Sequence, residues 1–210
     1  MTKILTKYLL SEFGGRAVTR DEIEAACKKF GAKYTNTVNF MISYGYLVRI
    51  LRGLYYVKTF EEFKLGKAVD VRRIISLGLN RLGVSWYFGL HTALGLNGLT
   101  HEFPATTFVL NDSIFRPKEI EIAGERTRFL RLKRELFGFG VVDRDGVRFS
   151  DPEKTILDLV YLSRYRSLPK ERIISTIGEY GEHLERGKLQ AYLKFYPKTV
   201  EMVIRDAGVI

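Results

Sequence analysis

Between Lys33 and Ser43 the chain reads Lys-Tyr-Thr-Asn-Thr-Val-Asn-Phe-Met-Ile-Ser. Val38, Met41 and Ile42 recur at helical spacing and would form the inner stripe of a helix. Outside that stripe lie Lys33, Tyr34, Thr35, Asn36, Thr37, Asn39, Phe40 and Ser43, a face rich in amides and hydroxyls. An Asn side chain pairs bidentately with the N6 and N7 edge of adenine. A Thr meets a phosphate or a thymine methyl, and a Lys neutralises phosphate. From Lys33 to Leu65 the only acids are Glu61 and Glu62, whereas an ordinary solvated helix mixes in carboxylates. Arg49 and Arg52 follow, and on a hairpin they would reach the backbone or a neighbouring minor groove. These ten residues are the candidate set for binding double-stranded DNA.

The other residue types that do chemistry are sparse. His91 falls in an apolar run and His101 in a Gly-Leu-Thr-His-Glu-Phe-Pro turn, with no third His or Cys near enough in sequence for zinc. Asp143-Arg-Asp145 has the spacing of a two-metal carboxylate pair, but Asp145-Gly146 reads better as a hairpin turn. Glu62-Phe-Lys64 lacks the Pro-Asp strand that a restriction-type nuclease core would place before it, and no P-loop spacing occurs. Ser150, Asp151 and Glu153 are expected to cap a helix, and Cys27 to be a small core residue. No catalytic residue, metal or cofactor is expected.

The elements that must position the Asn-bearing face are legible around it. Ile4, Leu5, Tyr8, Leu9 and Phe13 recur with a helical period that Gly14-Gly15 ends. Thr19-Arg-Asp-Glu22 has capping-box spacing, and Ile23, Ala26, Cys27 and Phe30 continue it as an apolar stripe, with Gly31 turning the chain. A third helix follows from about Thr35 to Tyr44. Tyr46 to Val57 is two β-prone runs around Arg52-Gly53, a hairpin signal. Helix, helix, helix, hairpin is the order of a winged helix-turn-helix.

Charge agrees with that placement. The chain of 210 residues carries 34 Lys+Arg against 24 Asp+Glu, a net of +10. Residues 1–69 hold 12 of the cations and 6 of the acids, so +6 sits in the first third. Such a field favours anionic partners, above all nucleic acid. One cysteine excludes a disulfide framework and fits a reducing interior. The N-terminal residues are interrupted by Lys3, Lys7 and Glu12, and nowhere do eighteen apolar residues run together. A cytoplasmic protein with no membrane partner is expected.

The polar stretch 60–70 suggests a boundary, giving a DNA-binding domain over 1–69 and a second domain over 70–210. In the latter, residues 71–82 and 85–96 read as helices. Strands follow at 106–110, 119–122 and 128–132, with a hairpin over 140–149. Ser150-Asp-Pro-Glu153 opens another helix, and helical patterns fill the tail. The fold expected is α+β: an N-terminal winged helix-turn-helix followed by a mixed α+β C-terminal domain. Arg126, Arg128, Arg131, Lys133 and Arg134 are expected to be solvated charge on an edge strand.

Three segments carry a family resemblance. Tyr87-Phe-Gly-Leu-His-Thr-Ala-Leu-Gly-Leu-Asn-Gly-Leu-Thr-His-Glu-Phe-Pro104 and Ser150-Asp-Pro-Glu-Lys-Thr-Ile-Leu-Asp-Leu159 resemble the most recognisable stretches of AbiEi-type antitoxins, of type IV abortive-infection toxin–antitoxin systems. Gly45 to Val57 is similar to that family's wing, which closes with Gly-Leu-Tyr. The resemblance runs in order from about residue 5 to 165. It implies a repressor that binds operator repeats upstream of its own operon. It also implies a C-terminal domain that counters a cognate nucleotidyltransferase-like toxin, often without a stable complex. Two alternatives stay open. One is a metal-dependent nucleotidyltransferase or nuclease using Glu102, Asp112, Glu119 or Glu121. The other is a toxin-free regulator whose C-terminal domain senses a ligand or forms a homodimer.

Overall fold

In the computed structural model, which describes residues 2–102, 104–164 and 170–210, helix α1 (Thr2–Phe13) stops where Gly14 and Gly15 follow it. Leu5 and Leu9 turn inward, whereas Ile4, expected on the same stripe, is exposed. A three-residue strand β1 (Ala17–Thr19) leads into α2 (Arg20–Lys29) and then α3 (Tyr34–Ser43). Strands β2 (Leu47–Leu51) and β3 (Leu54–Val57) form the expected hairpin, with Gly53 at φ +79° between them. A short helix α4 (Phe60–Lys64) and a longer α5 (Val71–Leu82) complete this part.

Strand β1 pairs antiparallel with β3, making a three-stranded sheet in the order β1-β3-β2. Nothing in the sequence announced β1, because three residues ending on a capping Thr carry too short an alternation to read. All four residues of β3 are buried, since the sheet is covered on both sides. Tyr55 and Val57 join Leu5, Leu9, Ile23, Val38 and Met41 in a core beneath α1–α3. On the other side Gly78 of α5 lies so close that a Cβ there would come within 2.7 Å of Ile50 and 3.1 Å of Leu54.

This placement of α5 moves the division of the chain. One compact unit comprises residues 1–84 with 121–125, and the second comprises 85–120 with 126–210. The boundary therefore falls after Val84 rather than within 60–70. The polar stretch 60–70 is a connection inside the first unit, which needs α5 to cover Ile50 and Leu54.

A six-stranded mixed sheet in the order β6-β7-β5-β4-β9-β8 supplies the framework of residues 85–120 and 126–210. Its strands are β4 (Trp86–Phe88), β5 (Thr106–Asn111), β6 (Ile120–Ile122), β7 (Glu125–Arg131), β8 (Val141–Arg144) and β9 (Val147–Ser150). Pairs β5–β7 and β4–β9 run parallel, while β4–β5 and β8–β9 run antiparallel. The expected helix over 85–96 is thus half wrong. Trp86, Tyr87 and Phe88 are a fully buried central strand, and only Leu90–Leu96 is helix (α6). An apolar run fits a doubly covered strand and a buried helix equally well by periodicity. The edge-strand expectation also changes: Arg126, Arg128 and Arg131 lie on β7, with β6 outside it.

Helices α7 (Pro152–Arg164), α8 (Lys170–Tyr180), α9 (Arg186–Leu193) and α10 (Lys198–Asp206) follow. They pack one apolar core from Ile156, Leu157, Val160, Ile177, Leu189, Val200 and Ile204, with Tyr87 and Leu110 from the sheet and Leu94 from α6. The protein is a mixed α+β chain. No described helix is long and apolar enough to cross a membrane.

Candidate nucleic-acid interface

On α3 the candidate residues separate by burial. Lys33, Thr35, Asn36, Asn39 and Ser43 are exposed, Tyr34 and Phe40 are half-buried, and Thr37 is buried. Residues 36, 39 and 43 recur at i, i+3 and i+7, and 35 and 39 at i+4, so four of them share one face. Thr37 leaves the set: its hydroxyl donates to the Lys33 carbonyl at 3.0 Å inside the helix. Ser43 Oγ likewise donates to the Phe40 carbonyl at 3.0 Å. Among the described residues, no hydrogen bond or ion pair engages the side chains of Lys33, Thr35, Asn36 or Asn39. Their polar atoms therefore face water, where a partner can replace it without first breaking protein contacts.

The hairpin is tied to this helix by a contact that sequence reasoning missed. Tyr34 Oη lies 3.0 Å from Tyr55 Oη, linking the start of α3 to β3. The Arg20 guanidinium lies 5.0 Å from the Tyr34 ring and the Arg49 guanidinium 5.9 Å from the Tyr55 ring. Two cations from two elements thus flank one tyrosine pair. Burial and the bond to Tyr55 push the Tyr34 hydroxyl up to about 12, so it stays protonated at neutral pH. The Arg20 amide also donates to the Gly53 carbonyl at 2.7 Å, which holds the hairpin turn against the start of α2. Arg20 was hidden because its place inside the Thr19–Glu22 spacing reads as capping. The box explains its neighbours: the Glu22 carboxylate accepts from the Thr19 amide at 2.8 Å and from the Thr19 hydroxyl at 3.1 Å. Arg52 stands exposed at the turn.

The second unit holds a cluster that the sequence reading assigned to capping alone. Asp151 does cap α7, accepting from the Lys154 amide at 2.9 Å. Ser150 and Glu153 do not. Ser150 Oγ lies 2.6 Å from Thr155 Oγ1, and Glu153 accepts from the Glu185 amide at 2.9 Å and pairs with Lys188 at 3.0 Å. One turn on, Lys154 and Asp158 are both fully buried, 3.7 Å apart. Tyr87 and Tyr196 donate to the two oxygens of Asp158 at 2.8 and 2.7 Å. The Lys154 ammonium sits 4.3 Å from the Phe139 ring centroid and 4.8 Å from that of Tyr87. Burial pushes the Lys154 ammonium down and the Asp158 carboxyl up, each opposed by the other's charge. Gly140, at φ +61°, makes room for this lysine, since a Cβ there would come within 2.8 Å of Lys154 Cβ. The 150–158 run looked like an amphipathic helix start, and no periodicity marks a lysine as buried.

No family model matches the sequence, and no curated protein does. Its fold is similar to that in the crystal structure of the RV2827C protein from Mycobacterium tuberculosis. The TM-score is 0.59 over 97% of this chain and 76% of that one, at 11% identity. At that identity the likeness concerns fold alone.

The remaining chemical candidates are not assembled. Among the described residues no group of three His, Cys, Asp or Glu could hold a metal ion. Asp143 accepts from the Gly146 amide at 2.9 Å and so closes the β8–β9 turn. Glu119 pairs with Arg128 at 3.8 Å, and Asp112 accepts from the Ser85 amide at 3.3 Å. Cys27 is buried. The exposed α3 face carries hydrogen-bonding groups on Thr35, Asn36 and Asn39 that are turned to water.

Proposed function

We propose that this protein is a sequence-specific DNA-binding transcriptional regulator. Its first unit would act as a winged helix-turn-helix, with α3 entering the major groove and the β2–β3 hairpin serving as the wing. The order α1-β1-α2-α3-β2-β3 supports that reading. The observation that carries it is the exposed face of Thr35, Asn36 and Asn39. It bears donors and acceptors and no carboxylate; Lys33 precedes it, and Arg20, paired with Glu24 at 3.5 Å, and Arg49 flank the Tyr34–Tyr55 pair at its start. Lys33 and the arginines would neutralise phosphates and set register, and the two Asn would read adenine.

The resemblance to AbiEi-type antitoxins extends the proposal. The regulator would repress its own operon, and its second unit would counter a nucleotidyltransferase-like toxin. Fluorescence anisotropy of the full chain tests the first part, with duplex from its own upstream region against a scrambled duplex. The expected result is tighter binding to the upstream DNA, falling steeply with salt. Equal affinity for both duplexes would overturn it. Growth rescue on co-expression with a nucleotidyltransferase-like reading frame from the same operon tests the second part, and failure of rescue would remove it.

A further inference from the structure

The first unit has an apolar cavity of about 540 Å³ between α1, α3 and α4, within the range of small-ligand sites. Leu10, Phe40, Tyr46, Phe60 and Phe63 provide its apolar lining. The Tyr46 and Phe63 ring centroids are 4.2 Å apart, so the floor is aromatic. Phe60, at the mouth, is 71% exposed, which leaves a large apolar side chain in water.

The charged groups lining this cavity are all of one sign. They are Lys3 and Lys7, one turn apart on α1, and Lys64 on α4. None of the three is ion-paired among the described residues. The nearby acids of α4 are engaged elsewhere: Glu62 by the Tyr56 hydroxyl at 2.9 Å and the Thr59 amide at 2.8 Å, and Glu61 by Lys67 at 3.4 Å. A second copy docking the same face would bring lysines against lysines, so charge argues against self-association here. A phosphate alone would use the lysines and leave the aromatic floor wet.

We infer that this groove binds a long-chain fatty carboxylate, its alkyl chain over the aromatic floor and its headgroup between Lys7 and Lys64. Such a ligand matches both halves of the lining, apolar burial along the chain and charge pairing at the end. It would touch Phe40 of α3 and neutralise lysines beside that helix. The binding itself does not depend on the DNA-binding reading.

Isothermal titration calorimetry of the full chain with dodecanoate, below its micellar concentration, tests the proposal. Dodecanol and acetate serve as headgroup-less and chain-less probes. The expected result is one saturable site for dodecanoate, with dodecanol weaker by about tenfold and acetate silent. The exposed-site variant Lys7→Gln/Lys64→Gln should bring dodecanoate down to the affinity of dodecanol, while Phe63→Ala should weaken both, with circular dichroism confirming the fold. No saturable binding, equal affinity for dodecanoate and dodecanol, or binding indifferent to Phe63→Ala would each overturn it.

Discussion

At the scale of single residues, the two asparagines of α3 and the arginine at the hairpin turn make separable demands. A base contact carries sequence information and a phosphate contact does not. Asn36→Ala and Asn39→Ala should each lower the preference for upstream over scrambled DNA by about 1–3 kcal/mol, read by anisotropy. Arg52→Ala should weaken both duplexes alike and reduce the salt slope by about one. Lys154 makes a different kind of demand. With Lys154→Met, Asp158 stays buried without its cation, a loss of about 3–5 kcal/mol in urea unfolding. Because the two groups share one network, Lys154→Met/Asp158→Asn should cost clearly less than the two single changes added together. Glu22 has a pH signature. Burial works against its charge, but the Thr19 amide and hydroxyl and the Arg81 guanidinium, 2.7 Å away, outweigh it and hold the carboxyl below its ordinary 4.5. A depressed carboxyl stabilises the folded state fully above its unfolded value and loses that contribution as pH falls through the folded one. Wild type should therefore exceed Glu22→Gln in melting temperature near pH 7, with the gap closing as pH drops below about 4.5. A gap that is constant with pH would assign the effect to packing.

At the scale of elements, helix α5 shows how a local pattern is read correctly and placed wrongly. Its bounds, Val71–Leu82, match the sequence expectation, because Ile74, Ile75 and Leu79 give a clean helical stripe and Gly83 ends it. What the stripe packs against is not in the stripe. Gly78 in mid-helix would ordinarily be replaced by Ala with a gain of about 1 kcal/mol in helix propensity. Here Gly78→Ala should instead lower stability by about 1–3 kcal/mol, because Ile50 and Leu54 already fill the space a Cβ would take. A rise in urea midpoint for that variant would show that the sheet can yield. The strand Trp86–Phe88 teaches the same lesson from the other side. Its apolar run was visible, yet only its neighbours β5 and β9 make it a strand. Strand β1 and the buried Lys154 left no periodic mark at all.

At the scale of the whole molecule, the division after Val84 has a direct consequence for truncation. A fragment of residues 1–84 keeps α5 over Ile50 and Leu54, whereas residues 1–69 leave that side of the sheet bare. Urea unfolding of the two fragments should show a cooperative transition for 1–84 and a lost or much broadened one for 1–69; indistinguishable curves would restore the earlier boundary. Taken alone, the sequence settled the +10 charge and its concentration toward the N-terminus, the helices around the Asn-bearing face, and the hairpin after it. These are local features, written in spacing, capping and turn residues that act within a few positions of one another. Tertiary structure alone decided that Thr37 turns inward, that Tyr34 and Tyr55 join helix to hairpin between Arg20 and Arg49, and that Lys154 is sealed among tyrosines. The tyrosine pair and the sealed lysine depend on partners tens of residues away, and burial, that of Thr37 included, is a property of what arrives from elsewhere in the chain.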